Sequence, residues 1–480
     1  MKKRWLAIIA ACSFFLGAGG VYTGIQWVDS REQEGSPGTK GEARHDTSMN
    51  SNHLAKVEQV YQLIQEAYVE KVESEKLIQG AIQGMIGTLK DPYSVYMDKD
   101  TAEQFSDNLD SSFEGIGAQV TIENGKLVIV APIKNTPAEK AGLKPRDQII
   151  AINGESIEGL DLYEATKKIR GEKGTVVTLE IMRPGASKPF KVEITREEVP
   201  ILTVFPDIKE SDGKKIGYLE ITSFSEGTAS DFRKELLRLE EEKIEGLVID
   251  VRGNPGGMLS SVDNILQQLV TDKKPYVQIE ERNGNKNPYY SGLKKRKPYP
   301  IAVLIDEGSA SASEILASAL KEAEGYHLVG VRSFGKGTVQ QAIPLEDGSN
   351  VKLTMFKWLT PDGNWIHGKG IEPTIKVKQP EYFYAHSLNI EKELVRDMNS
   401  EEVKIAQQLL SGLSYGTGRT DGYFDGQTER AVKAFQTVEK IPATGKIDQK
   451  TAAHLEAAVI KRIEDERNDL QLQVSLKTLK

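Results

Sequence analysis

Three short segments combine residue types that could carry acyl-transfer chemistry. The first is Gly308-Ser-Ala-Ser-Ala-Ser-Glu314, which follows the apolar run Ile301–Ile305 and opens a helical stretch at 315–320. A serine where a strand turns into a helix is exposed for attack, and free amides at the helix start favour negative charge. Ser311 and Glu314 also fit a capping box, so alone the segment reads more simply as a helix cap. The second is Phe334-Gly-Lys-Gly-Thr-Val-Gln-Gln341, after a strand-like run at 327–331. If 336–340 is extended, Lys336, Thr338 and Gln340 share one face. A lysine held there and taken out of water loses its proton well below the free value of about 10.4 and could accept a serine's proton. Alone, the stretch is an ordinary surface turn. The third is Asp250-Val-Arg-Gly-Asn-Pro-Gly-Gly257, where glycines let backbone amides face outward, a way to hold an oxyanion or simply a tight turn.

A rival reading is a phosphate-binding loop, from Gly330-x4-Gly335-Lys336 with Leu247-Val-Ile-Asp250 as a metal-binding strand. It fails on Gly337, which stands where a magnesium-binding Ser or Thr is needed, and on the order of the two segments. Composition narrows the rest. Of 480 residues, 62 are Lys or Arg and 70 Asp or Glu, a net charge of −8, which disfavours nucleic acid as a partner. Cys12 is the one cysteine, and the six histidines are scattered without HExxH, so no metal site and no cofactor is expected. The histidines are expected to be dispensable for the chemistry.

The elements that must position these segments follow from periodicity. Residues 5–28 are apolar behind Met-Lys-Lys-Arg and can span about 30 Å of hydrocarbon. A membrane anchor, a cleaved signal and a lipoprotein box at Cys12 are the three readings, and each exports the chain. A polar tether covers 29–52, and a helical region 53–112 carries two amphipathic stripes. Residues 113–185 alternate short β-rich runs (118–122, 126–129, Gln148–Ile152, Val176–Met182) with glycine turns. Residues 195–380 alternate buried-strand runs with helices, an α/β pattern. Residues 398–458 form a small helical unit, and the tail 459–480 reads as a packing or dimer-contact segment.

Taken together and in this order, D-x-R-x-N-x-G-G, S-A-S-A-S-E and F-G-K-G-T-V-Q-Q resemble the C-terminal processing peptidases, tail-specific serine proteases with a Ser–Lys dyad. Asp91-Pro-Tyr-Ser-Val-Tyr96 and Phe113-Glu-Gly-Ile-Gly117 extend the likeness. The resemblance implies Ser311 as nucleophile, Lys336 as general base and Gln340 as its support. It implies oxyanion amides on Ala312 and near Gly257, with Gly256 left open. Residues 113–185 resemble the PDZ domain of this family, in which Gly115, Ile116, Gly117 and Ala118 would hold a peptide's terminal carboxylate. Arg170, at the end of the helical patch Leu162–Ile169, would contact that carboxylate or the protease core, or stand as a solvated helix-end charge. The last unit resembles a peptidoglycan-binding module through Asp421-Gly-Tyr-Phe-Asp425 and Ala431-Val-Lys-Ala-Phe-Gln436.

The fold class expected is therefore an α/β protease core with an inserted α+β PDZ domain, N-terminal helices and a small all-α C-terminal module. The expected function is extracytoplasmic serine endopeptidase action on proteins with free C-termini, with regulated proteolysis or sporulation signalling as the setting. Peptidoglycan, the membrane and a second copy of the chain are the further partners expected. The alternative is a catalytically silent scaffold joining protein C-termini to the cell wall, which leaves Lys336 and Gln340 without a purpose.

Overall fold

The computed structural model describes residues 51–479 apart from 108, 124, 386, 387 and 389, so the expected anchor and most of the tether lie outside the described residues. No helix among the described residues is long and apolar enough to cross a membrane. Helices Ser51–Ala67 and Ser74–Gly87 come first, as the two stripes predict. Leu54, Val57, Val60 and Leu63 remain exposed on the first of them.

The protease-like core is a six-stranded sheet in the order Val204–Ser211, Lys214–Ile221, Gly246–Asp250, Ile301–Ile305, His327–Gly330, Ile375–Lys376. The first pair is antiparallel and the rest run parallel. Gly246–Asp250 and Ile301–Ile305 are buried at every position. Strands buried at every position need both faces of the sheet covered. One cover is the helices Thr228–Glu241, Leu259–Leu266 and Ala312–Glu322, whose Phe232, Leu236, Val262 and Leu316 join the main core. The other is the tail. It forms helix Leu470–Thr478, whose Leu472 and Leu476, with Leu479, pack on Ile216, Val248, Ala302, Leu304 and Val329. The tail is thus a layer of the core within this chain.

Gly246–Asp250, Ile301–Ile305 and His327–Gly330 are neighbours, and each runs at its carboxyl end into one of the three motif segments. The carboxyl edge of a parallel sheet is where α/β folds assemble sites, because the connecting loops converge there. A second sheet pairs Thr338–Pro344 and Val95–Met97 with the long strand Asn350–Leu359, which also meets Val277–Glu280. The inserted unit is a sheet of 118–123, 126–132, 148–152, 176–182 and 190–195 with helix Leu162–Ile169. Strand Phe190–Thr195 belongs to it, so the unit runs past the expected boundary at 185. Strands Ser112–Gly115 and Glu197–Pro200 pair where the chain leaves and re-enters the core. The C-terminal module has helices Glu401–Gly412, Gly426–Val438 and Gln449–Glu464 around Val403, Phe424, Phe435 and Leu455. Ser400, Asp425 and Asp448 cap these helices with side-chain oxygens.

Candidate active site

Ser311 is the N-cap of helix Ala312–Glu322, at φ 54° and ψ −113°. A serine there is a backbone outlier, which persists only when its surroundings hold it. Its flanking serines do the holding. Ser309 Oγ donates to the carbonyl of Val251 at 2.8 Å, and Ser313 Oγ donates to that of Asn254 at 2.9 Å. Both outer hydroxyls are therefore committed to the glycine-rich segment.

That segment is ordered by Asn254, which is fully buried. Its Nδ2 donates to the carbonyl of Ile221, and its Oδ1 accepts the N–H of Gly256, both at 2.8 Å. Gly256 has spent its amide. Among the described residues, the amides of Gly257 and Ala312 have no acceptor, so the geometry favours Gly257 over Gly256 as a free donor. Neither glycine tolerates a side chain. A Cβ on Gly256 would lie 2.8 Å from Ser311 Cβ, and one on Gly257 would lie 2.2 Å from the carbonyl oxygen of Phe224.

Lys336 is 6% exposed, and its ammonium lies 4.9 Å over the ring of Tyr93. Burial, then the charge of Lys352, pushes it down to about 8, while Asp91 and Glu314 pull the other way through charge alone. Its backbone is fixed from both sides. Trp358 Nε1 donates to the Lys336 carbonyl and Trp365 Nε1 to the Gly337 carbonyl, each at 2.8 Å. His367 Nδ1 accepts the Gly337 N–H at 3.3 Å, with its ring stacked on Trp365. Strand Thr338–Pro344 starts after Lys336 and has a bulge between Val339 and Gln340, so the even alternation expected over 336–340 is interrupted. Gln340 Nε2 still reaches Thr338 Oγ1 at 2.9 Å and Thr354 Oγ1 at 3.1 Å. Its Oε1 is buried without a partner among the described residues.

Glu314 joins these pieces. It is fully buried, and its carboxylate accepts from Ser333 Oγ and from the backbone N–H groups of Ser311, Gly335 and Lys336 at 2.5–2.9 Å. Burial pushes its pKa up against the pull of those four donors. Sequence reasoning saw only the capping box. The missed signal was a charged residue in the first turn of a helix whose following residues, 315–320, are apolar or small. Asp91 and Tyr93 were visible only as part of a motif. His367, expected to be dispensable, is placed against the base loop as a backbone acceptor.

Two more regions bear on the site. Arg252, in the glycine-rich segment, grips Asp250 and also Asp469 through two bonds of 2.8 and 3.0 Å. The tail is thereby tied to the segment that carries Gly257. In the PDZ-like unit, Ile116 and Gly117 have their carbonyls tied down by the N–H groups of Ala138 and Ile133. Gly117 has φ 74°, and a Cβ there would fall 2.4 Å from Thr136 Cβ. Gly115 lies against the Phe113 ring, and Ala118 begins strand Ala118–Glu123. Arg170 is only partly exposed. It pairs with Asp107 at 2.5 Å and lies 4.9 Å over the Phe113 ring.

Comparison with known proteins agrees with this architecture. Residues 215–377 match the model of peptidase family S41, and 128–183 that of the PDZ domain. Residues 399–455 match a peptidoglycan binding domain, and 14–101 the N-terminal domain of the activating protease CtpB. The chain is 56% identical over 482 residues to the carboxy-terminal processing protease CtpB of Bacillus subtilis, covering 100% of this chain and 99% of that one. It is 40% identical to CtpA of the same organism, over 90% of this chain and 91% of that one. Among solved structures, the photosystem II D1 C-terminal processing protease matches with 27% identity and a TM-score of 0.41, over 67% of this chain and 92% of that one. With relatives this similar along almost the whole chain, the protein belongs to the carboxy-terminal processing proteases of peptidase family S41.

Proposed function

We propose that this protease works outside the cytoplasm through a Ser–Lys dyad. Ser311 Oγ attacks the scissile carbonyl carbon while Lys336 Nζ takes the hydroxyl proton. The oxyanion is received by the amides of Gly257 and Ala312. Collapse expels the amine, which leaves with the proton from Lys336, and water then attacks the acyl-enzyme with Lys336 again as base. Gln340 Oε1, a buried acceptor without a partner among the described residues, orients the lysine. The observation that carries the reading is the burial of Lys336 on the loop whose backbone N–H shares one Glu314 oxygen with that of Ser311.

The loop at Gly115, Ile116, Gly117 and Ala118 takes the substrate's terminal carboxylate, and Arg170 relays its arrival, since it bridges the PDZ helix end to Asp107. Residues 5–28 hold the enzyme at the membrane or direct its export. The C-terminal module approaches peptidoglycan. The exposed apolar stripe of Ser51–Ala67 meets a second copy of the chain. Its family resemblance points to regulated proteolysis, with sporulation as the setting.

The test of the dyad is a fluorophosphonate probe on the full chain with peptide mapping. Labelling at Ser311, together with a loss of several orders of magnitude in kcat/KM for both Ser311→Ala and Lys336→Ala, is expected. An unlabelled chain with no peptidase activity would instead fit the scaffold.

A further inference from the structure

A second lysine is buried beside Lys336, and the chemistry just described has no use for it. Lys352 is 2% exposed, and its ammonium lies 5.2 Å over the ring of Phe105. The sheet fixes the way it faces. Gln340 Nε2 donates to Thr354 Oγ1, so Gln340 and Thr354 project from one face. Lys352 stands two residues before Thr354 on the same strand and projects from that face too. Its strand is flanked on one side by Thr338–Pro344, with Ala342 opposite Lys352, and on the other by Val95–Met97, with Val95 opposite it. Residues 91–94 lead into the latter strand. Ser94 Oγ accepts the Thr354 N–H at 3.0 Å, and Tyr93 supplies the ring beneath Lys336. The two lysines and the orphaned Gln340 Oε1 thus form one buried cluster, with the half-buried Asp91 carboxylate at its edge.

We propose that Lys352 is a positioning residue for the proton transfer: its ammonium, buried in the same cluster, repels a proton from Lys336 and keeps that amine ready for the Ser311 hydroxyl. The inference rests on the Ser–Lys reading above. Two ammonium groups in one dry site oppose each other's charge, and such a pair titrates in coupled steps. Burial brings Lys352 down to about 8, and burial together with the charge of Lys352 brings Lys336 to about 8. The other groups around Lys336 do not assist. Asp91 and Glu314 favour the charged base. Tyr93 is held neutral by burial and those same carboxylates, and His367 stands edge-on to Tyr93 at 6.0 Å.

The experiment is the pH profile of kcat/KM and of fluorophosphonate acylation for the full chain and three variants. Lys352→Met keeps the length and apolar stem but removes the charge. Its acid limb should move to higher pH by roughly one unit, the usual scale for loss of a nearby like charge. Activity should fall about tenfold below the limb and recover above it. Lys352→Arg keeps a permanent charge and should retain the parental limb. Asp91→Asn removes the opposing charge and should move the limb to lower pH, which keeps the test open should Lys352→Met fold poorly. A parental acid limb in folded Lys352→Met, or an unmoved limb in Asp91→Asn, overturns the inference and leaves the dyad intact. A parent that is not labelled at Ser311 overturns both.

Discussion

Glu314 and Lys336 meet through the backbone: the lysine's N–H donates to the carboxylate at 2.8 Å, and the ammonium is directed over Tyr93 instead. A direct ion pair would hold the proton on the lysine and spoil it as a base. Glu314 positions the base loop without that contact and, through the same oxygen, fixes the amide of Ser311. Glu314→Gln leaves one acceptor oxygen for four donors and turns an amide N–H toward some of them. Charge-assisted bonds of this kind contribute roughly 1.5–3 kcal/mol each, so a lower melting temperature and a fall of about a hundredfold in acylation rate are expected. KM should change little. Parental acylation in the variant would remove Glu314 from the positioning of the dyad.

What could be read from the chain alone follows from where the physics is local. Ile301–Ile305 is apolar without a break and Gly246–Asp250 is apolar at 247–249, so their burial in a parallel sheet was legible. Ser311 and Lys336 stood out because glycines and small residues surround them. Lys352 did not, since nothing in Asn350–Leu359 marks one of its two lysines as buried and the other as half exposed. That difference is set by Phe105 and Val95, which are remote in sequence. The tail was ambiguous for a related reason. Leu470, Leu472, Val474 and Leu476 alternate like a strand, yet the segment is a helix that packs Leu472 and Leu476 on the open face of the core sheet and leaves Leu470 exposed. Tertiary burial overrides a local pattern when a segment is this short.

The two lysines should make stability depend on pH in the same direction as activity. Each has a folded value of about 8 against 10.5 for the free side chain. Between those values the unfolded chain binds more protons, so stability rises with pH through that window and is lost again as pH falls to 8. Below it, both ammonium groups are buried at full cost. Lys336→Met should therefore be inactive yet more stable than the parent at pH 7, by about 3 kcal/mol at most, with the gain fading near pH 10.5. Urea midpoints at the two pH values measure this. No gain at neutral pH would mean that the buried charge is not a burden.

The tail supplies a separate prediction. Asp469→Asn leaves Arg252 with half of its buried ion pairs, a loss of roughly 3 kcal/mol, and loosens the segment that carries Gly257. Leu476→Ala weakens the same helix by a similar amount through packing alone. Matched for stability, Asp469→Asn should lower kcat several-fold more than Leu476→Ala, with KM unchanged in both. Equal kcat values would reduce the tail to a cover for the sheet.

The last prediction separates carboxylate recognition from the fold of the PDZ domain. An amidated substrate removes the terminal charge and keeps the cleavage site, so the full enzyme should cleave it more slowly at low concentration. Read from the sequence, Gly117→Val is a block to peptide approach at the carboxylate loop. The structure alters its meaning: Gly117 has φ 74°, and any Cβ collides with Thr136, so the variant strains the domain itself. Its melting temperature should drop along with cleavage, which makes it a poor probe of binding. Arg170→Ala is the better one. It removes the pairing with Asp107 and the contact with Phe113, both at the edge of the domain. Peptide affinity should stay near that of the parent while cleavage falls and the acid–amide difference shrinks. Equal cleavage of acid and amide peptides by the parent, measured across a concentration series, would remove carboxylate sensing and leave the peptidase standing.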